Sequence, residues 1–99
     1  MIKSIRHTGV VVSDVDKSLH FYKDLLGFKV VKDNSEPSKF MDLILSLENT
    51  VVRTIKMEAP DGNLIELLHF KSHPKKPRNI DITELGCSHI ALTIGNLEK

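Results

Sequence analysis

The sequence predicts a small α+β fold, in which a mostly antiparallel sheet carries one amphipathic helix on a face. Three observations predict it: β-branched runs bounded by turn residues, a helical apolar stripe that stops at a glycine, and a Pro60-Asp61-Gly62-Asn63 hairpin signal. The elements follow in order. Ser4 to Ser13 is β-branched and reads as the first strand, and Ser13 or Asp14 supplies the side-chain oxygen that caps a following helix. Val15, Leu19, Tyr22 and Leu26 then recur at helical spacing, with Phe21 and Leu25 widening the stripe and Asp16, Lys17, His20, Lys23 and Asp24 on the other side. Gly27 ends the helix, where a left-handed residue costs least.

Phe28 to Asp33 resumes a strand, and Asn34-Ser35-Glu36-Pro37-Ser38 breaks it with turn chemistry and a new helix cap. Phe40, Leu43, Ile44 and Leu47 make the second helix amphipathic. Val51 to Glu58 and Leu64 to Phe70 are the two arms of the hairpin, and Gly86 to Ile94 is expected as a fifth strand. Such a sheet leaves one face and an edge without cover, so a second unit or a second chain is expected there.

The chain also restarts itself. Ile5-Arg6-His7-Thr8-Gly9-Val10-Val11-Val12-Ser13-Asp14-Val15-Asp16-Lys17 realigns on Cys87-Ser88-His89-Ile90-Ala91-Leu92-Thr93-Ile94-Gly95-Asn96-Leu97-Glu98-Lys99. The expected organisation is a first module at 1–70, a linker at 71–85, and the first strand and helix start of a truncated second module at 86–99.

Composition bounds the function classes. The 99 residues are 40% apolar and 27% charged, with a net charge of +1. A domain of this size buries roughly 60 to 70% of its unfolded surface and has room for one core. There is no apolar run long enough to span a bilayer and no secretion signal, so a cytoplasmic protein is the expectation. The charge leaves no footprint for nucleic acid, and the basic stretch from Lys71 to Arg78 holds two prolines and no aromatic residue, as a solvated linker would. One cysteine, Cys87, excludes an internal disulfide framework and reads as a small core residue.

Alternation along strands places Ile5, His7, Gly9 and Val11 on one face, Leu64, Glu66, Leu68 and Phe70 on one face, and Cys87, His89, Ala91 and Thr93 on one face. Each row holds one strongly polar group among mainly apolar or small ones. A buried carboxylate is costly unless paired or metal-bound, so Glu66 either faces solvent or has a partner. Two imidazoles and a carboxylate on separate strands suit a divalent transition metal. A lone strand histidine is also commonly a half-exposed residue; the matching offset of His7 and His89 favours ligands, though a shared packing role would produce the same match. His20 on the polar helix face, His69 opposite Glu66 and His73 in the linker are poor ligand candidates.

Together, His7 to Asp14, Ser18-Leu19-His20-Phe21-Tyr22-Lys23-Asp24-Leu25-Leu26-Gly27-Phe28 and Ala59-Pro60-Asp61-Gly62-Asn63-Leu64-Ile65-Glu66-Leu67 resemble the vicinal oxygen chelate superfamily, which groups glyoxalase I, methylmalonyl-CoA epimerase, extradiol dioxygenases, fosfomycin-resistance enzymes and bleomycin-binding proteins. The resemblance covers Ile5 to Phe70 as one βαβββ module and Gly86 to Lys99 as the opening of another. It implies His7, Glu66 and His89 as ligands of a divalent ion (zinc, nickel, cobalt, manganese or iron), which as a Lewis acid holds a small substrate by two neighbouring oxygens and stabilises an enediolate or related oxyanion. The family's remaining ligand and catalytic base, a Glu on an eighth strand, has no counterpart in this sequence, so the catalytic residue stays unassigned. The implied activity is that of a glyoxalase-like or epimerase-like lyase or isomerase, and Glu66 argues against the dioxygenases. The alternatives are a metal-free small-molecule-binding module, like the bleomycin-resistance proteins, and an inactive fragment. A homodimer, with the fifth strand exchanged across the linker as one route, is the expected partner arrangement.

Overall fold

The computed structural model describes residues 1–37 and 39–95. Four strands form one sheet: β1 (Thr8–Val11), β2 (Lys29–Pro37), β3 (Val51–Glu58) and β4 (Leu64–Phe70), in the order β1-β4-β3-β2. The β3–β4 and β2–β3 pairs are antiparallel, and β1 runs parallel to β4. The first strand of the chain therefore lies beside the last strand of the sheet, which is what brings distant polar residues together.

Helix α1 (Val15–Leu19) starts as the sequence predicts: Asp14 is extended, and its carboxylate accepts the Lys17 amide at 3.0 Å. The same helix then widens into a π-helical turn over His20–Leu25, in which the Leu26 amide reaches the Phe21 carbonyl at 3.0 Å. Gly27, at φ +83°, reverses the chain while its amide and that of Phe28 reach the carbonyls of Lys23 and Tyr22. Val15, Leu19, Tyr22 and Leu26 meet the sheet, whereas Phe21 and Leu25 are exposed, so the stripe is narrower than the sequence suggests.

The core lies between this helix and one face of the sheet. Ile55 and Met57 of β3 and Ile65 and Leu67 of β4 are buried with Val15 and Phe28, and Val10, Val12 and Val30 pack around them. Tyr22 stands edge-on to Phe28, with ring centroids 5.9 Å apart.

Four expectations need correction. β1 spans only Thr8–Val11, because its register sets Thr8 against Ile65 and β4 begins at Leu64, so residues further upstream have no ladder partner. β2 does not break at Asn34: it pairs through to Pro37 opposite Val51, and a proline closes an edge strand without losing a ladder bond. Helix α2 (Lys39–Leu45) forms, yet Phe40, Leu43 and Ile44 are exposed and none of its residues joins the core. Its tether is polar, the Asp42 carboxylate accepting the buried Thr50's amide at 2.8 Å. Finally, residues 86–95 form no strand: their alternating pattern suits pairing, but they join no ladder among the described residues. Cys87 in that segment is half-buried, and the helix start expected at 96–99 lies outside the described residues.

Arg53 clamps the β2–β3 pair by donating to both Asp33 carboxylate oxygens, at 3.0 and 2.8 Å. Those hydrogen bonds hold the Asp33 carboxyl below its usual value, opposed by desolvation and helped by the Arg53 and Lys71 charges. A depressed carboxylate stabilises the fold above the ordinary Asp range and loses that contribution as pH falls below about 4. With the side chains 40% and 29% exposed, solvent screening limits the effect. Asp33→Asn is expected to cost about 0.5–1 kcal/mol at pH 7 and almost nothing at pH 3, as read from urea unfolding at the two pH values.

Candidate functional site

The sheet face turned away from α1 carries the polar row. The register sets Gly9 beside Glu66, Lys56 across from Glu66, and Lys32 across from Lys56, so these four positions share that face. Leu64 and Leu68 flank Glu66 along its strand, and its side chain is only 12% exposed. Gly9 leaves the position next to the carboxylate without a side chain. A Cβ there would stand 3.0 Å from Leu68 Cδ1, so glycine also lets Leu68 lie close against β1.

His7, just before β1, places Nε2 at 3.4 Å from Glu66 Oε1, with its side chain 30% exposed. That separation is at the long end for a hydrogen bond. It matches two donors sharing one tetrahedral ion, which at roughly 2.1 Å from the metal would stand about 3.4 Å apart. An imidazole nitrogen and a carboxylate oxygen are the donor types that such an ion takes, so this pair fits part of a coordination sphere. Among the described residues no three of His, Cys, Asp or Glu gather closely enough to complete one.

His89 is exposed in the irregular segment after Gly86, apart from the His7–Glu66 pair. Its neighbours are closer: Ile90 to Gly95 border a cleft of ≈ 980 Å³ whose opposite walls hold His7 with Ile5 and Arg6, the helix end at Leu25 and Leu26, and the start of β4. Of the remaining histidines, His20 donates through Nδ1 to the Asp24 carboxylate at 3.2 Å on the exposed helix surface. His69 alternates to the opposite side of β4 from Glu66, and His73 is engaged by the Ser72 hydroxyl at 2.8 Å.

Lys56 is the neighbour that the motif reading missed. The hairpin register sets Glu58 against Leu64 and hence Lys56 against Glu66, so counting outward from Asp61-Gly62 would have found it. It brings an ammonium to the same face as the carboxylate, while the short contact of Glu66 is with His7.

Comparison with known proteins gives a consistent picture. The family model of the Glyoxalase/Bleomycin resistance protein/Dioxygenase superfamily matches residues 4–99. The uncharacterized protein YwkD of Bacillus subtilis is 32% identical over 100 residues, an alignment that takes in 100% of this chain and 67% of that protein. The metallothiol transferase FosB of Staphylococcus saprophyticus is 42% identical over 41 residues, which are 41% of this chain and 27% of FosB. A crystal structure of a glyoxalase family protein from Bacillus cereus superimposes with a TM-score of 0.75 at 21% identity, covering 87% of this chain and 59% of that one. This last likeness is one of fold, and the chain spans about three fifths of that structure's length.

Proposed function

The chain belongs to the glyoxalase/bleomycin resistance/dioxygenase superfamily, and from that premise we propose that its open sheet face forms one side of a divalent-metal site for a glyoxalase-like lyase or isomerase reaction on a small substrate with two neighbouring oxygens. The observation that carries this reading is the His7–Glu66 pair: two donors of the right type, 3.4 Å apart, one of them a carboxylate only 12% exposed between leucines. A carboxylate in that position calls for a cation, and an imidazole at that spacing fits a co-ligand better than it fits a hydrogen-bond partner.

A bound ion would supply Lewis-acid polarisation of the substrate oxygens. The chain's own residues have separate tasks. His7, just before β1, and Glu66 on the neighbouring β4 would hold two coordination positions, and the parallel pairing of β1 with β4 sets their spacing. Gly9 keeps the approach to Glu66 open, and Leu64 and Leu68 make the surroundings of the carboxylate apolar, which strengthens any charge interaction there. Lys56 adds positive charge on the face where a substrate oxyanion would develop. Remaining donors would come from a second sheet laid over this face, with His89 as the candidate that segment 86–95 brings, within the chain or from a second copy. FosB, named a metallothiol transferase, supports a metal-dependent chemistry in a relative.

Titration of metal-free protein with Co²⁺, followed by visible absorption and native mass spectrometry, tests this. One ion bound per site with ligand-field bands, lost in His7→Ala, is the expected result. Protein that takes up no Co²⁺, or binds it equally well without His7, would leave the metal-free binding module as the surviving function.

A further inference from the structure

A second cleft, of ≈ 590 Å³, opens at the carboxyl ends of the parallel pair β1 and β4, away from His7. It lies about four residues, or roughly 13 Å along β4, from Glu66. Its apolar wall is made by Val11 and Phe70 at the strand ends, with Leu47 and Pro74. Its rim carries Lys75 and Lys76, and no Asp or Glu lines it among the described residues.

The two lysines are also unspent. Lys71, just upstream, donates to the Ser35 hydroxyl at 2.6 Å, and the Ser72 hydroxyl accepts the Val51 amide at 2.8 Å, so the linker begins tied to the β2–β3 end of the sheet. This fixes where the chain runs next. Lys75 and Lys76 follow on that anchored stretch and make no ion pair among the described residues. The Asp42 carboxylate feels the charge of His73 and is already committed to the Thr50 amide.

We propose that this cleft binds an amphipathic organic anion, whose aliphatic or aromatic body lies against Phe70, Val11 and Leu47 and whose carboxylate or phosphate head meets Lys75 and Lys76. The volume falls within the range of small-molecule sites. An apolar wall with a one-signed rim selects for such a molecule over a neutral or cationic one of equal size, because only the anion gains charge-assisted hydrogen bonds at the rim. The site is independent of the His7–Glu66 pair.

The test uses octanoate, octyl phosphate, octan-1-ol and octylammonium as probes on the ¹⁵N-labelled full chain, read by amide chemical shifts. Both anions are expected to shift Val12, Ser13, Phe70 and His73 and to bind at least tenfold more tightly than the alcohol, with octylammonium weaker still. Lys75→Glu with Lys76→Glu is expected to weaken octanoate binding at least tenfold, while His7→Ala leaves it unchanged. Equal affinity for octanoate and octanol, shifts centred on Glu66 and His7, or unaltered binding by the double variant would overturn the proposal. The comparison of headgroups on the unmodified chain decides the matter even if the double variant fails to fold. A preference for octyl phosphate over octanoate, or the reverse, identifies which head the lysines take.

Discussion

Leu67→Ala is expected to remove about 3 kcal/mol of stability, a large share of the roughly 5–15 kcal/mol that holds a typical domain folded. Leu67 is 1% exposed, on the β4 face that packs against α1, and it sits in one cluster with Ile55, Met57, Ile65, Val15 and Phe28. Truncation there removes transfer energy and leaves a cavity that a two-layer core with a single helix on top cannot easily close. Its neighbour gives the informative contrast. Leu68, one residue on, points to the open face and is half-buried, so Leu68→Ala should cost about 1 kcal/mol or less. Urea unfolding of both variants at low and high protein concentration checks the pair. If Leu68→Ala costs as much as Leu67→Ala, and does so only at high concentration, the open face is a packed interface in solution, and a second sheet covers it as the proposed metal site requires.

The inner hairpin was legible in the sequence because its determinants are local. Asp61 and Gly62 set the turn, with the Asp61 carboxylate accepting the Asn63 amide at 3.0 Å and Gly62 at φ +88°. Val51–Glu58 and Leu64–Phe70 then pair in the register that the turn dictates. The first helix was legible for the same reason, through its Asp14 cap and Gly27 stop. What the sequence misplaced were the elements whose extent depends on a distant partner. The start of β1 is set by where β4 begins, and the end of β2 by where β3 begins. The segment 86–95 alternates like a strand and is none without an edge to join. The candidate site divides along the same line. His7 and Glu66 meet because β1 and β4 are neighbours in one sheet, whereas His89 lies in segment 86–95, which joins no ladder among the described residues.

Glu66→Leu is expected to move stability and metal binding in opposite directions. In metal-free protein the carboxylate is a largely buried charge with one long contact to His7, set between two leucines. Replacing it with an apolar group of similar volume removes a desolvation cost that this contact offsets incompletely, so the variant should be more stable than the parent in EDTA, by about 1 kcal/mol. The same change deletes a coordination position and should weaken Co²⁺ binding at least a hundredfold, about 2.7 kcal/mol. Metal at a hundredfold excess over its dissociation constant should stabilise the parent by about 2.7 kcal/mol and the variant by almost nothing. Thermal unfolding with and without Co²⁺ therefore yields a crossing: the variant melts higher in EDTA and lower with metal. Glu66→Gln, which keeps the shape, should lose the metal without the gain in EDTA. A purely structural carboxylate, retained to hold His7 and β1 in place, predicts the contrary result, a Leu variant less stable in EDTA and indifferent to Co²⁺ in the same way as its parent. On the proposed metal reading, the crossing measures how much stability the chain gives up to keep Glu66 as a ligand.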